Sequence, residues 1–439
     1  MPGVAELPRK LTTFDGSALL VGAVIGSGIF VVPSLIAQRV QEPGLVIAIW
    51  VFSGLLVLCG ALTLAELGTM LPESGGLYVY MREAYGPFLA FLCGWTIMLV
   101  VIPGSLAALS TAFLIYVQYF VPLSYWTAKG LGMALLLGLA AINAQGVRQG
   151  AGVQNLFTIL KVAGLAALVG VALVTRRGDV AHFVPLVPPA LSLGLASAVG
   201  VAMISTLFAF DGWHFVGFVA GEMRDPQRTV PRSILIGVAI TITVYVAANL
   251  AYLYALGQPG VAGSGRVAAD AMSAMVGPAG ATFITVVILC SMFGAISANV
   301  LAGPRVLFAM ARDGAISRRL AAIHPAHGTP AHAIWLLAGW SSLLTLTGGF
   351  EHLITMGQFA NWIFFTMVVF AVIVLRRTHP EWKRPYRAAG YPFTALVFVA
   401  VSSVFVINTL VESPASSLMG LGLLLLGVPV YVRARRASS

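Results

Sequence analysis

Charge is scarce in this chain: only 9% of its 439 residues are Asp, Glu, Lys or Arg, against about 25% in ordinary soluble domains. With 59% apolar residues, a soluble fold could not hide its own surface, which excludes a soluble enzyme. Cysteine is nearly missing too. Cys59, Cys93 and Cys290 are the only three; each lies inside an apolar run, so a disulfide framework is excluded and small apolar filler is the expected role. There is no hydrophilic domain, no low-complexity tract and no phosphate loop of the GxxxxGK[ST] type, so ATP does not drive the protein directly. Formal charge is +10, but no basic patch interleaves with aromatics, and nucleic acid is not an expected partner. The first twenty residues, polar and then running straight into an apolar stretch, do not read as a cleavable signal peptide.

What the chain has instead is apolar length. Some 259 apolar residues at about 20 per crossing cap the count near 13 helices. Runs long enough to span fall at 15–38, 44–70, 85–118, 124–143, 153–174, 192–221, 231–256, 279–308, 331–348, 353–375, 391–411 and 415–432. The expectation is an all-α integral membrane protein of twelve spans. With the N-terminus inside, nineteen of the 25 Lys and Arg residues fall on the cytoplasmic side and five outside. That bias places both termini in the cytoplasm of a multi-pass protein of the cell membrane; the outer pair Arg176–Arg177 runs against it.

Two spans carry features that a simple membrane helix does not need. Span one reads GAVIGSGIFVVP (22–33), with Gly22, Gly26, Ser27 and Gly28 weakening the helix in mid-membrane. Small residues also let helices pack closely, so close packing and a functional break both remain open there. Span six reads STLFAFDGWHFVGF (205–218) and puts Asp211, Gly212, Trp213 and His214 deep in apolar sequence. An ionisable residue at that depth is a candidate site by default; a paired Asp211 stabilising a kink is the structural alternative. The two features lie five spans apart, and an odd offset means opposite entry directions. Two inverted five-helix repeats, 15–175 and 192–376, with their first helices interrupted near the midplane, have that signature, and 391–432 is left for two further helices. Unwound backbone there frees N–H groups for a carboxylate and C=O groups for an ammonium. One small molecule carrying both charges is an α-amino acid.

Lys161 interrupts span five, in NLFTILKVAGL (155–165). If the helix starts near residue 153, the lysine is about 12 Å deep, within reach of a snorkelling stem. The other reading is a tethered cation: an ammonium beside the unwound carbonyls of span one would do the structural work of a sodium ion, and a desolvated lysine can also take part in proton coupling.

Several stretches in order, GAVIGSGIF (22–30), AELGTMLPESGGLYVYMREAYGP (65–87), QNLFTILK (154–161), FAFDGW (208–213), EMRDPQRTVPRSI (222–234), RVLFAMARDG (305–314) and HPAHGTP (324–330), make the sequence resemble the amino acid–polyamine–organocation superfamily in its L-amino-acid-transporter-like branch. The resemblance covers nearly the whole chain. It implies two inverted five-helix repeats (spans one to five and six to ten) plus two helices. It also implies substrate carboxylate binding at the backbone of Ile25, Gly26, Ser27 and Gly28, and an amino group meeting carbonyls around Phe208, Ala209 and Phe210, with Asp211 beside them. Phe208 matches a gating aromatic, although core packing is an alternative, more so for Phe210; Trp213 is read as a second gate. Lys161 matches a lysine associated with sodium independence. Asn299 and His214 are further candidates near the site. Animal members often have glycine where this chain has Asp211. They also link to a single-span partner through a loop cysteine; VPLSYW (121–126) has none, so no disulfide-linked partner is expected.

The function expected is sodium-independent secondary transport of neutral L-amino acids by alternating access, through exchange or proton-coupled uptake. A cationic amino acid or amine paired with Asp211 is the alternative. An intramembrane enzyme using Asp211 and His214 lacks a nucleophile with its base. No cofactor is expected, and His324, His327 and His332 lack a carboxylate or cysteine to complete a metal site. The partners are a small amino acid and the lipid bilayer.

Overall fold

The computed structural model describes residues 6–186, 193–347, 350–412 and 414–438. Among these the named elements are all helical, joined by one isolated bridge between Leu11 and Met223. Eight helices are long and apolar enough to cross a membrane, and a bent pair, Thr13–Val24 with Gly28–Ala37, adds a ninth crossing. Shorter apolar helices at Ser197–Ala209, Ala331–Leu346 and Ser417–Arg433 complete the twelve. Residue 192, where the sixth run was expected to start, lies outside the described residues; its helix is Leu193–Ala209.

Span one consists of the bent pair, span two is Pro43–Met70 and span three Pro87–Val117. Spans four and five are Tyr125–Ala144 and Val147–Thr175. Span six is interrupted between Leu193–Ala209 and Phe215–Phe218. Spans seven and eight are Pro226–Gly263 and Pro278–Arg312. Spans nine to twelve are Ala331–Thr347, Phe350–Thr378, Phe393–Glu412 and Pro414–Ser438. Between spans two and three lies a further helix, Leu77–Tyr85, whose residues Leu77–Met81 are buried against the bundle. A second short helix, Val267–Val276, follows span seven.

Local chemistry explains the irregular points. Span one starts with a capping box in which Thr12 and Asp15 satisfy each other's backbone and side-chain groups. In span three a π-helical turn, Ile97–Val101, precedes Pro103. A proline cannot donate to the carbonyl four residues earlier, and the freed Leu99 oxygen accepts from the Trp340 indole at 3.0 Å instead.

One end of the bundle collects the charges. Glu222 and Arg305, both with fully buried side chains, form a two-point ion pair at 2.6 and 3.0 Å. The Glu222 carbonyl also receives the N–H groups of Lys10 and Leu11, which ties the N-terminal segment to the end of span six. Fully buried Glu66 pairs with Arg376 at 2.6 and 2.9 Å and accepts the Ala388 N–H. A third network joins Arg82 to Glu73 and Asp313, and Arg312 to Glu73. Burial alone would raise the Glu73 carboxyl, but the charges of Arg82 and Arg312 hold it below its ordinary value. Glu66, near the end of span two, and Glu73, in the connection that follows it, are thus structural.

Candidate functional site

The halves of span one meet at a 43° bend. Val21 still accepts the Ile25 N–H at 2.9 Å, but Gly26 turns back to bond Val24 O at 2.8 Å, and Ser27 caps the second half without a side-chain bond. The start of that helix has N–H groups without intrahelical acceptors. Span six breaks over 210–214. Gly212 adopts φ 109°, a left-handed conformation open to glycine, and the Asp211 carboxylate accepts the Gly212 N–H at 2.8 Å.

The two breaks touch each other. A Cβ on Gly28 would sit 2.7 Å from that of Ala209, and one on Gly212 would sit 2.9 Å from that of Ala23. Each break therefore presents a glycine to the other, a reciprocal arrangement that only residues without side chains permit.

Between them lies a cavity of about 280 Å³. Gly26, Ser27 and Gly28 line it from span one; Phe208, Ala209, Asp211 and His214 line it from span six. Asn299 of span eight reaches it as well, its amide donating to Ala295 O at 2.9 Å. Ile25 does not line the cavity: its N–H stays in the helix, so the expected donor at that position is already used. Phe210 is 1% exposed and packs on Trp50 and Tyr245, the core role that was its alternative. Phe208 on the cavity wall is 39% exposed. Trp213, expected as a second gate, is corrected by the structure. The turn at Gly212 sends its indole to Phe365 of span ten and Phe398 of span eleven, at 5.4 and 5.7 Å between rings, away from the cavity.

Lys161 is fully buried, and its ammonium donates to three carbonyls: Gly22 at 2.9 Å, Ile25 at 2.6 Å and Ser291 at 2.8 Å. An ammonium has three N–H donors, and each has an acceptor. Snorkelling is ruled out because the helix begins at Val147, fourteen residues and about 21 Å before the lysine. Gly294 makes room for the stem, since a Cβ there would lie 3.0 Å from Lys161 Cε. An unsatisfied buried charge costs several kcal/mol; here the break supplies the acceptors and the lysine satisfies the break.

Sequence reasoning missed four supporting groups. Gln154 and Thr158 donate to Ala18 O at 3.4 and 2.9 Å; with Lys161 they recur at steps of four and three, a helical face legible in QNLFTILK. The Ser291 hydroxyl lies 2.8 Å from Ile25 O and 3.2 Å from Gly26 O. The Tyr245 hydroxyl lies 2.8 Å from both Val24 O and Ala209 O, its single proton shared between the two breaks. Neither residue carries a signal in its own apolar run. Asn361 of span ten also lines the cavity. Among the described residues no group of three or more His, Cys, Asp or Glu is placed to hold a metal.

Comparison with known proteins places the chain among relatives along nearly its whole length. The family described as "Amino acid permease" matches residues 11–426. The serine/threonine exchanger SteT of Bacillus subtilis (strain 168) is 32% identical over 98% of each chain. Human Asc-type amino acid transporter 1 is 31% identical over 98% of this chain and 84% of its own. The human large neutral amino acids transporter small subunit 2 is 32% identical over 98% of this chain and 81% of its own.

Proposed function

Because the chain belongs to the amino acid permease family, and so is a multi-pass membrane transporter of amino acids rather than an enzyme, we propose that it moves neutral L-amino acids without sodium. It does so by alternating access, as an exchanger or with protons. The observation that carries this reading is the Lys161 ammonium seated among carbonyls of spans one and eight, tethered at the break.

The substrate carboxylate takes the N–H groups at the start of the second half of span one, at Ser27 and Gly28. Helix-terminal N–H groups and the helix dipole favour an anion there. The substrate ammonium meets span-six carbonyls around Phe208, Ala209 and Phe210, where an oxygen already bonded keeps a second lone pair. Phe208 closes over the occupied cavity. Two inverted repeats, 15–175 and 192–376, rock about the paired breaks, with 391–432 outside the repeat. Both termini face the cytoplasm, in keeping with the distribution of Lys and Arg, and the charged end of the bundle forms the inner seal. No disulfide-linked partner is required, since Cys59, Cys93 and Cys290 all sit within spans.

The test is counterflow in proteoliposomes. Labelled neutral amino acids exchange and emerge chemically unchanged, and lysine or arginine in excess does not compete. If cationic substrates do compete and Asp211→Asn abolishes that competition, Asp211 is a counter-charge and the neutral assignment is wrong.

A further inference from the structure

Asn361 is 1% exposed, and neither its amide nitrogen nor its carbonyl oxygen has a hydrogen-bond partner. It lines the cavity. Most buried polar groups in folded proteins are bonded, and an orphan pays the full cost of leaving water. A carboxamide with both ends unmet, on the wall of a substrate cavity, is a recognition group awaiting its ligand.

His214 lines the same cavity. Phe365 follows one turn later on span ten, and its ring centre lies 4.7 Å from that of His214. The His214 ring is also buried, with Nδ1 unbonded and 3.7 Å from Asp211 Oδ1. Across the cavity, span three lines the wall mainly with apolar residues, Ile97, Val101, Ile102 and Leu109 among them, and with one hydroxyl, that of Ser105. Among the described residues, the buried cavity-lining polar atoms left without a partner, both of Asn361 and Nδ1 of His214, therefore lie on the span six–span ten side.

We propose that Asn361 reads the substrate side chain, with His214 beside it, and that the preferred substrates carry a hydroxyl or carboxamide. This rests on the transport reading above and narrows it. A hydroxyl can donate to the Asn361 oxygen or accept from its nitrogen; a carboxamide can do both at once. A methyl group in the same place leaves both Asn361 atoms orphaned.

Threonine and valine make the decisive pair, being nearly isosteric. In proteoliposomes exchanging labelled alanine, threonine competes with the wild type at concentrations about tenfold to a hundredfold lower than valine. In Asn361→Leu, similar in shape but without polar atoms, the threonine-to-valine ratio falls to about one or below. The ratio is read within one preparation, so a reduced folded fraction does not affect it, and Asn361→Ser serves if the leucine variant does not fold. Equal potency of threonine and valine on the wild type, or an unchanged ratio in the variants, overturns the Asn361 assignment while alanine exchange leaves the transport reading standing. Absence of alanine exchange in the wild type overturns both.

Discussion

The breaks in spans one and six are built differently. In span one the freed oxygens are held from outside: Gly22 and Ile25 by Lys161, Ile25 and Gly26 by Ser291, and Val24 by Tyr245. In span six most of the bonds are local. Phe208 O accepts the Asp211 N–H at 3.1 Å, Gly212 O accepts the Phe215 N–H at 3.1 Å, and the Asp211 side chain takes the Gly212 N–H; Tyr245 reaches in from another span, to Ala209 O. A break fastened to spans five, seven and eight is held in place, as the platform of the proposed function requires. A break that closes on its own turn can move as a unit, and it carries the gate candidate Phe208.

That contrast sets the order of effects. Lys161→Met removes three charge-assisted bonds, each contributing roughly 1.5–3 kcal/mol, and orphans the span-one oxygens; exchange should fall by about a hundredfold or more, with a lowered melting temperature for the purified protein. Unaltered exchange in this variant would dissolve the distinction between the two breaks. Gly28→Ala comes next: its Cβ would press on Ala209 backbone and side chain, 2.8 and 2.7 Å away, whereas at Gly26 the nearest atom is 3.6 Å away. Initial rates should drop by roughly tenfold or more in Gly28→Ala and change little in Gly26→Ala; equal effects would mean that contact between the breaks does not matter. Tyr245→Phe follows, costing about 0.5–1.5 kcal/mol for one shared hydroxyl, and should slow exchange about threefold to tenfold. Because span one keeps Lys161 and Ser291, substrate affinity should change less than turnover.

Much of this was legible in the chain. Gly26 and Gly28, and Asp211 with Gly212, marked both breaks, since glycine in a helix interior and a carboxylate within a span are costly unless used. Lys161 stood out for the same reason, and only a misjudged helix start left snorkelling open. Ser291, Tyr245 and Asn361 were not legible, because their roles depend on which distant helices pack against the breaks; Ser291 meets Ile25 across 266 positions of sequence. Trp213 is next to the break in sequence, but the Gly212 turn rotates its indole toward spans ten and eleven, which sequence adjacency does not reveal.

The central claim is that the Lys161 ammonium is the cation the span-one break requires. The most direct measurement is the initial rate of neutral amino acid exchange by the wild type in proteoliposomes, with sodium fully replaced by choline on both sides. Equal rates in the two salts are the expected result; an absolute requirement for sodium would contradict the account.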